Sequence, residues 1–269
     1  ALLLDRRGAP LSELRVNAKV RQLEWVALAD VSPAMTAALV AAEDKRFWTH
    51  DGVDWTGMAV AAWDSVWRIV DGRRPRGGST LTMQLASHLE PALRPKGGDV
   101  RTFAQKWDQA EAAVVIERAW TKREILEAYL NLSSYRGELR GLRAAAQGLF
   151  AKAPDGLDAR EAAILVALLR APGAKPALVA QRACAVANDV NAGADCDAIR
   201  ANASMALAGA YRMPPRWNLA PHLAVKLLKS PGARVTTTLD AELQAYAVAT
   251  LADHLAELAG RGVQDGAIV

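Results

Sequence analysis

Cysteine and histidine are scarce in this chain, at two and four of 269 residues. Cys184 and Cys196 lack Cys-x-x-Cys spacing and have no histidine nearby in the sequence, which argues against a metal site. Spacing alone leaves two free buried thiols and one local disulfide equally open. Long apolar runs are also missing. No stretch reaches the ~18–20 apolar residues that a membrane-spanning helix needs. The opening Ala1-Leu2-Leu3-Leu4 passes straight into Asp5-Arg6-Arg7, unlike a secretory leader. No internal repeat or low-complexity segment is present, which excludes solenoid and fibrous classes. Charge is nearly balanced: 33 basic and 29 acidic residues give a formal +4. That excess is too small to imply a nucleic-acid partner, and no nucleic-acid motif accompanies it.

What is present is apolar and helical. Hydrophobic residues make up 51% of the chain, enough for a substantial core. Residues 1–30 read as a strand, a turn and a second strand. Ser32-Pro33 opens a helix running to Glu43, with serine as N-cap and proline at the first position. Asp54 caps a helix over 54–70 whose stripe Trp55, Met58, Ala59, Ala62, Trp63, Val66, Trp67 and Val70 follows helical spacing, with Val60 and Ile69 outside it. Trp55 is expected in the core. A basic, glycine-rich loop over 71–78 precedes a helix opened by Ser79. A long helix over 100–120 follows. Thr121-Lys122-Arg123-Glu124 and Asp158-Ala159-Arg160-Glu161 are capping boxes that begin two more. Pro172 stops the second. Helices are further expected near 177–187 and 197–210, a strand over 235–238, and a final helix from Asp240 to about Leu258.

Two segments concentrate chemistry. Ala42-Glu43-Asp44-Lys45-Arg46-Phe47-Trp48-Thr49-His50-Asp51-Gly52 places a carboxylate pair, an aromatic ring and a histidine at the end of an apolar helix. Burying a polar group without partners costs roughly 2–7 kcal/mol, so charge placed there needs a reason. Gly77-Gly78-Ser79-Thr80-Leu81-Thr82-Met83-Gln84-Leu85 joins a glycine pair to a helix N-terminus, where free N–H groups and the dipole favour anions. Arg73, Arg74 and Arg76 precede it, and Arg94, Lys96 and Arg101 follow. They fit either a solvated loop or a diphosphate-binding rim.

Together these segments resemble the peptidoglycan glycosyltransferase domain of class A penicillin-binding proteins. Lys122-Arg123-Glu124-Ile125-Leu126-Glu127-Ala128-Tyr129-Leu130-Asn131 resembles a third block of that family. Glu161-Ala162-Ala163-Ile164-Leu165, ending in Arg170-Ala171-Pro172, resembles a fourth. The motifs cover roughly 31–175. Met83 and Arg101-Thr102-Phe103 resemble the penicillin-binding protein 1C branch. The resemblance implies a mainly α, lysozyme-like glycosyltransferase fold, with a short N-terminal strand region and a small C-terminal linker strand plus helix. It divides the chain into a linker and strand region over 1–30, the glycosyltransferase domain over 31–225, and a linker over 226–269. In that last part Thr237-Thr238-Leu239-Asp240 and Leu243-Gln244 resemble the approach to a transpeptidase domain. None of the nine lysines has a serine three residues before it, so the transpeptidase's Ser-x-x-Lys nucleophile is not in this chain.

The implied reaction is inverting polymerisation of lipid II into glycan strands, with release of undecaprenyl diphosphate. A base must take the proton of the attacking 4-hydroxyl. The leaving group is already a stable anion and needs cations and N–H donors rather than a strong acid. The resemblance makes Glu43 the base and puts Asp44, His50, Gly78, Ser79, Thr80, Gln84, Lys106, Gln109, Lys122 and Asn131 at the substrate. Asp44 also reads as a structural hydrogen-bonder, as does His50, and Lys122 as a surface charge in its capping box. Thr80 and Gln84 share a helix face. Lys106 suits a diphosphate oxygen, and Ala110 and Ala113 along its helix leave room for a ligand.

One position departs from the family pattern. Gln109 stands where most members carry a second functional glutamate, and Asp108 and Glu111 point about 100° and 200° away around the helix. No metal is expected at 109 and no cofactor is required, though a divalent cation could accompany the diphosphate. Gln109→Glu is then expected to be tolerated or mildly activating. Implied partners are lipid II, the growing glycan, the inner-membrane surface through residues 60–75, and cell-wall synthesis proteins. The implied place is the periplasmic face of the inner membrane, with an N-terminal anchor absent from this chain. An extracytoplasmic location in turn favours a Cys184–Cys196 disulfide. Two alternatives remain: a lytic enzyme cutting glycan, and a catalytically weak scaffold for cell-wall assembly.

Overall fold

The computed structural model describes residues 1–60, 78–93, 103–209, 213 and 216–268. It is mainly helical and divides into two compact units, one of residues 22–211 and one joining residues 1–21 to 212–269. The sequence expectation treated the two ends as separate linkers. Here they fold on one another, because Leu2–Leu4 runs parallel to Arg234–Thr236 and antiparallel to Pro10–Glu13.

The larger unit is built around α6, Ala159–Leu169, buried all round from Glu161 to Leu168. A helix apolar on every side must be enclosed. It packs against α1 (Pro33–Glu43), α7 (Pro176–Val190) and α8 (Cys196–Leu207). The α1 helix starts where Ser32 Oγ accepts from Ala34 N, and that hydroxyl also donates to Leu157 O at 2.7 Å. Met35, Ala38 and Leu39 face inward. Beyond α1 lie α2 (Leu81–Leu89), α3 (Phe103–Ala119), α4 (Lys122–Leu132) and α5 (Leu142–Phe150). Both expected capping boxes are present, at Thr121–Glu124 and Asp158–Glu161. A hairpin of Ser134–Arg136 and Leu139–Arg140 separates α4 from α5.

Residues 55–60 are helical, and Asp54 Oδ1 accepts from Gly57 N at 2.8 Å as the cap. The rest of the expected 54–70 helix, including Trp63, Trp67 and Ile69, lies outside the described residues, as do Arg73, Arg74, Arg76, Gly77, Arg94, Lys96 and Arg101. Trp55 is not core. It is 56% exposed, with its ring beside that of Trp107. Cys184 on α7 and Cys196 at the start of α8 form a disulfide.

In the smaller unit, Leu3 and Leu11 are buried with Ala224 and Leu228 against α9, Pro221–Leu227. The final helix, α10, runs over Ala241–Leu258 and is capped by Asp240. Among the described helices of both units, none is long and apolar enough to cross a membrane.

Candidate active site

Glu43 is the last residue of α1. The backbone turns extended at Asp44, with φ −158° and ψ 79°, so two consecutive carboxylates serve different surroundings. The Glu43 side chain is 8% exposed. Its Oε1 accepts from Arg170 Nε at 2.8 Å, and Arg170 Nη2 donates to Ala42 O at 2.7 Å. Its Oε2 accepts from Gln84 Nε2 at 3.2 Å, while Gln84 Oε1 accepts from the Tyr129 hydroxyl at 2.9 Å. Burial, then the nearby charge of Glu43, pushes the Tyr129 hydroxyl far above its ordinary range. It therefore stays protonated and donates. That donation turns the Gln84 amide so that its N–H faces the carboxylate. Arg170 and Tyr129 are the residues that the sequence did not single out. Both sit inside quoted motifs, but only packing brings them to Glu43.

Asp44 has a different task. Its Oδ2 accepts from Leu81 N at 3.0 Å, at the N-terminus of α2, and its carboxylate accepts from His50 Nε2 at 3.0 and 3.1 Å. An anion bonded at this helix end is thus the protein's own aspartate. Thr80, not Ser79, is the N-cap: its Oγ1 accepts from Met83 N at 3.2 Å and donates to Gly52 O at 2.6 Å. Thr80 is buried, whereas Gln84 is bonded to Glu43. Gly78 and Ser79 lead into it as half-buried loop. Gly52 has φ +89°, and a Cβ there would meet Ala113 O at 2.7 Å. Only glycine permits this close approach to α3.

The remaining expected residues are mostly structural. Lys122 Nζ donates to His50 O at 2.5 Å and to Glu117 Oε1 at 2.7 Å, and lies 4.5 Å from the centre of the Phe47 ring. Glu117 also accepts from Thr82 Oγ1 at 2.6 Å. Lys122 therefore props the first motif from beneath rather than standing as a free surface charge. Asn131 exchanges hydrogen bonds with Val26 N and O and donates to Glu127 O. Its amide holds the 22–26 segment. Gln109 is fully buried and donates to Ser87 Oγ and Leu93 O, both at 2.8 Å. Lys106 is exposed on α3. Ala110 and Ala113 do not line a ligand space: both are buried against Val53 and Met83.

This site belongs to motifs that extend through most of the larger unit. The sequence profile described as Transglycosylase matches residues 7–191. The chain belongs to the transglycosylase family. Among other transglycosylase-family proteins it is similar to penicillin-binding protein 1C of Escherichia coli, at 38% identity over 228 residues, 81% of this chain and 28% of that protein. It is likewise similar to biosynthetic peptidoglycan transglycosylases. The Rhodospirillum centenum protein is 38% identical over 167 residues, 61% of this chain and 68% of that one. The Pasteurella multocida protein is 35% identical over 172 residues, 64% and 65% respectively. The transglycosylase chain thus spans under a third of the length of the 1C protein.

Proposed function

We propose that this chain polymerises lipid II into peptidoglycan glycan strands at the periplasmic face of the inner membrane. The 4-hydroxyl of one saccharide attacks the anomeric carbon of the growing, lipid-diphosphate-linked glycan. Its proton passes to Glu43, the glycosidic bond forms with inversion, and undecaprenyl diphosphate leaves. The observation that carries this is the setting of Glu43. It is a nearly buried carboxylate with each oxygen held by one donor, which leaves a lone pair free for a sugar hydroxyl. Exposed Lys106 is a cation suited to the diphosphate. A divalent cation would travel with the diphosphate rather than with the protein. At 109 the amide Nε2 donates to Ser87 Oγ and Leu93 O while Oε1 is buried without a partner, so the side chain offers a metal one neutral oxygen and no negative charge. A glycosidase normally flanks the bond with two carboxylates. Asp44 and Glu117 are both committed to internal partners.

Contact with the bilayer is proposed for residues 60–75, where the substrate's lipid tail would be met. Val60 is 63% exposed, Arg68, Arg73 and Arg74 follow it in the sequence, and apolar surface combined with basic residues favours an anionic interface. Charged substitution at Val60 is expected to weaken binding to anionic vesicles without lowering thermal stability, and unchanged binding would place the membrane contact elsewhere. The test of the main proposal is lipid II polymerisation by the parent and by Glu43→Gln. Loss of a general base costs ~10²–10⁴ in rate, with folding retained. Near-parental turnover by the variant would remove Glu43 from the role. Release of fragments from purified peptidoglycan, without polymer from lipid II, would favour a lytic enzyme. Inactivity on both would favour a scaffold.

A further inference from the structure

Arg170 takes no proton in this chemistry, yet its guanidinium holds the base. We infer that Arg170 is a positioning residue which keeps the Glu43 carboxylate aimed at the attacking hydroxyl. The inference rests on Glu43 as general base. Nε and Nη2 lie in one rigid plane, and they bond Glu43 Oε1 and Ala42 O, the side chain and the preceding carbonyl at the end of α1. A lysine, as a point donor, cannot copy both bonds at once. The Arg170 side chain is 58% exposed against 8% for Glu43. A carboxylate largely cut off from water is thus neutralised by a cation that keeps most of its own hydration, which avoids the desolvation cost of a fully buried pair.

The surroundings supply no substitute. Tyr129 from α4 and Gln84 from α2 face Glu43 and are both neutral. Asp44 is adjacent in the chain but is turned to His50 and Leu81 N. Among the described residues, no other cation contacts Glu43. Removing Arg170 would leave Glu43 Oε1 without its donor and free the carboxylate to turn away from the attacking hydroxyl. Arg170 need not leave for the reaction, since it occupies one lone pair of Oε1.

The test is the kcat and KM of lipid II polymerisation by the parent, Arg170→Gln, Arg170→Lys and Glu43→Gln, with melting curves for each. Arg170→Gln should lower kcat roughly 10–100-fold at neutral pH, the scale of a misplaced catalytic group, with little change in KM. Arg170→Lys should restore part of the rate, because one donor to Oε1 can be kept, but not the full rate. If Arg170→Gln keeps the parent's kcat, the inference fails while the base reading stands. A rise in KM alone would make Arg170 a substrate ligand and overturn it. If Arg170→Gln does not fold, Arg170→Lys decides: the parent's full kcat in that variant refutes the two-bond positioning. Polymerisation by Glu43→Gln at the parent's rate would remove the base reading and the inference with it.

Discussion

A buried amide and a buried carboxylate obey different rules, and position 109 requires the amide. Gln109 donates both hydrogen bonds from Nε2. A glutamate could not donate to the Leu93 carbonyl, and its charge would sit beside that acceptor with no exposure to water. We expect Gln109→Glu to lose about 1–3 kcal/mol of stability, the cost of leaving a buried polar group unpaired. Urea denaturation measures it, and an unchanged midpoint would show that the neighbouring turn relaxes. This concerns stability; the expectation that a glutamate there leaves activity intact or mildly raised is read separately, by lipid II polymerisation. Asp44 follows the complementary rule. Its carboxylate is buried because His50 and the α2 N-terminus supply the donors that water would otherwise give.

At the scale of elements, caps decide where helices begin, and one cap makes the smaller unit acid-sensitive. Asp240 accepts from Leu243 N and Glu242 N, and from Arg6 at 2.6 Å. The Leu243 hydrogen bond first, then the Arg6 side chain, holds its carboxyl below the ordinary 3.8. A carboxyl lowered on folding stabilises the fold above its unfolded value. That stability is lost as pH falls through 3.8 and on through the folded value. Asp5 adds to this: burial pushes it up, but backbone donors Ala9, Arg7 and Ala241 outweigh burial, so it too is lowered. We expect Asp240→Asn, which keeps a capping oxygen but cannot titrate, to show a shallower loss of helicity in acid than the parent. Circular dichroism against pH measures this, and identical acid profiles would assign the sensitivity elsewhere.

At the scale of the molecule, stability is distributed between two units held differently. The larger has a core around α6, reinforced on α7 and α8 by the Cys184–Cys196 disulfide. Cross-linking residues twelve apart should contribute about 2–3 kcal/mol by restricting the unfolded chain. We expect reductant to lower the urea midpoint of the parent and to leave that of a Cys184→Ser, Cys196→Ser double variant unchanged. Two titratable thiols in unfolded, unreduced protein would rule the bond out. The smaller unit has no covalent tie and depends on the pairing of Leu2–Leu4 with Arg234–Thr236. Truncating either end exposes the other.

What the sequence determined by itself is what neighbours a few residues apart can decide. Ser32-Pro33, Thr121–Glu124, Asp158–Glu161 and Asp240 start helices because their hydrogen bonds close within one turn. Glu43 could be singled out as a candidate because its motif is contiguous. Tertiary structure decided the partners. Arg170 reaches Glu43 because α1 packs on α6, and Tyr129 reaches Gln84 because α2 packs on α4. The helix N-terminus that looked ready for a substrate anion is occupied by Asp44, and Asn131 is spent on Val26. Trp55 lies on an apolar stripe and is nevertheless exposed. A side chain's chemistry is written at its own position, but which donor or cation completes it depends on distant segments. Their approach is set by how the whole core packs.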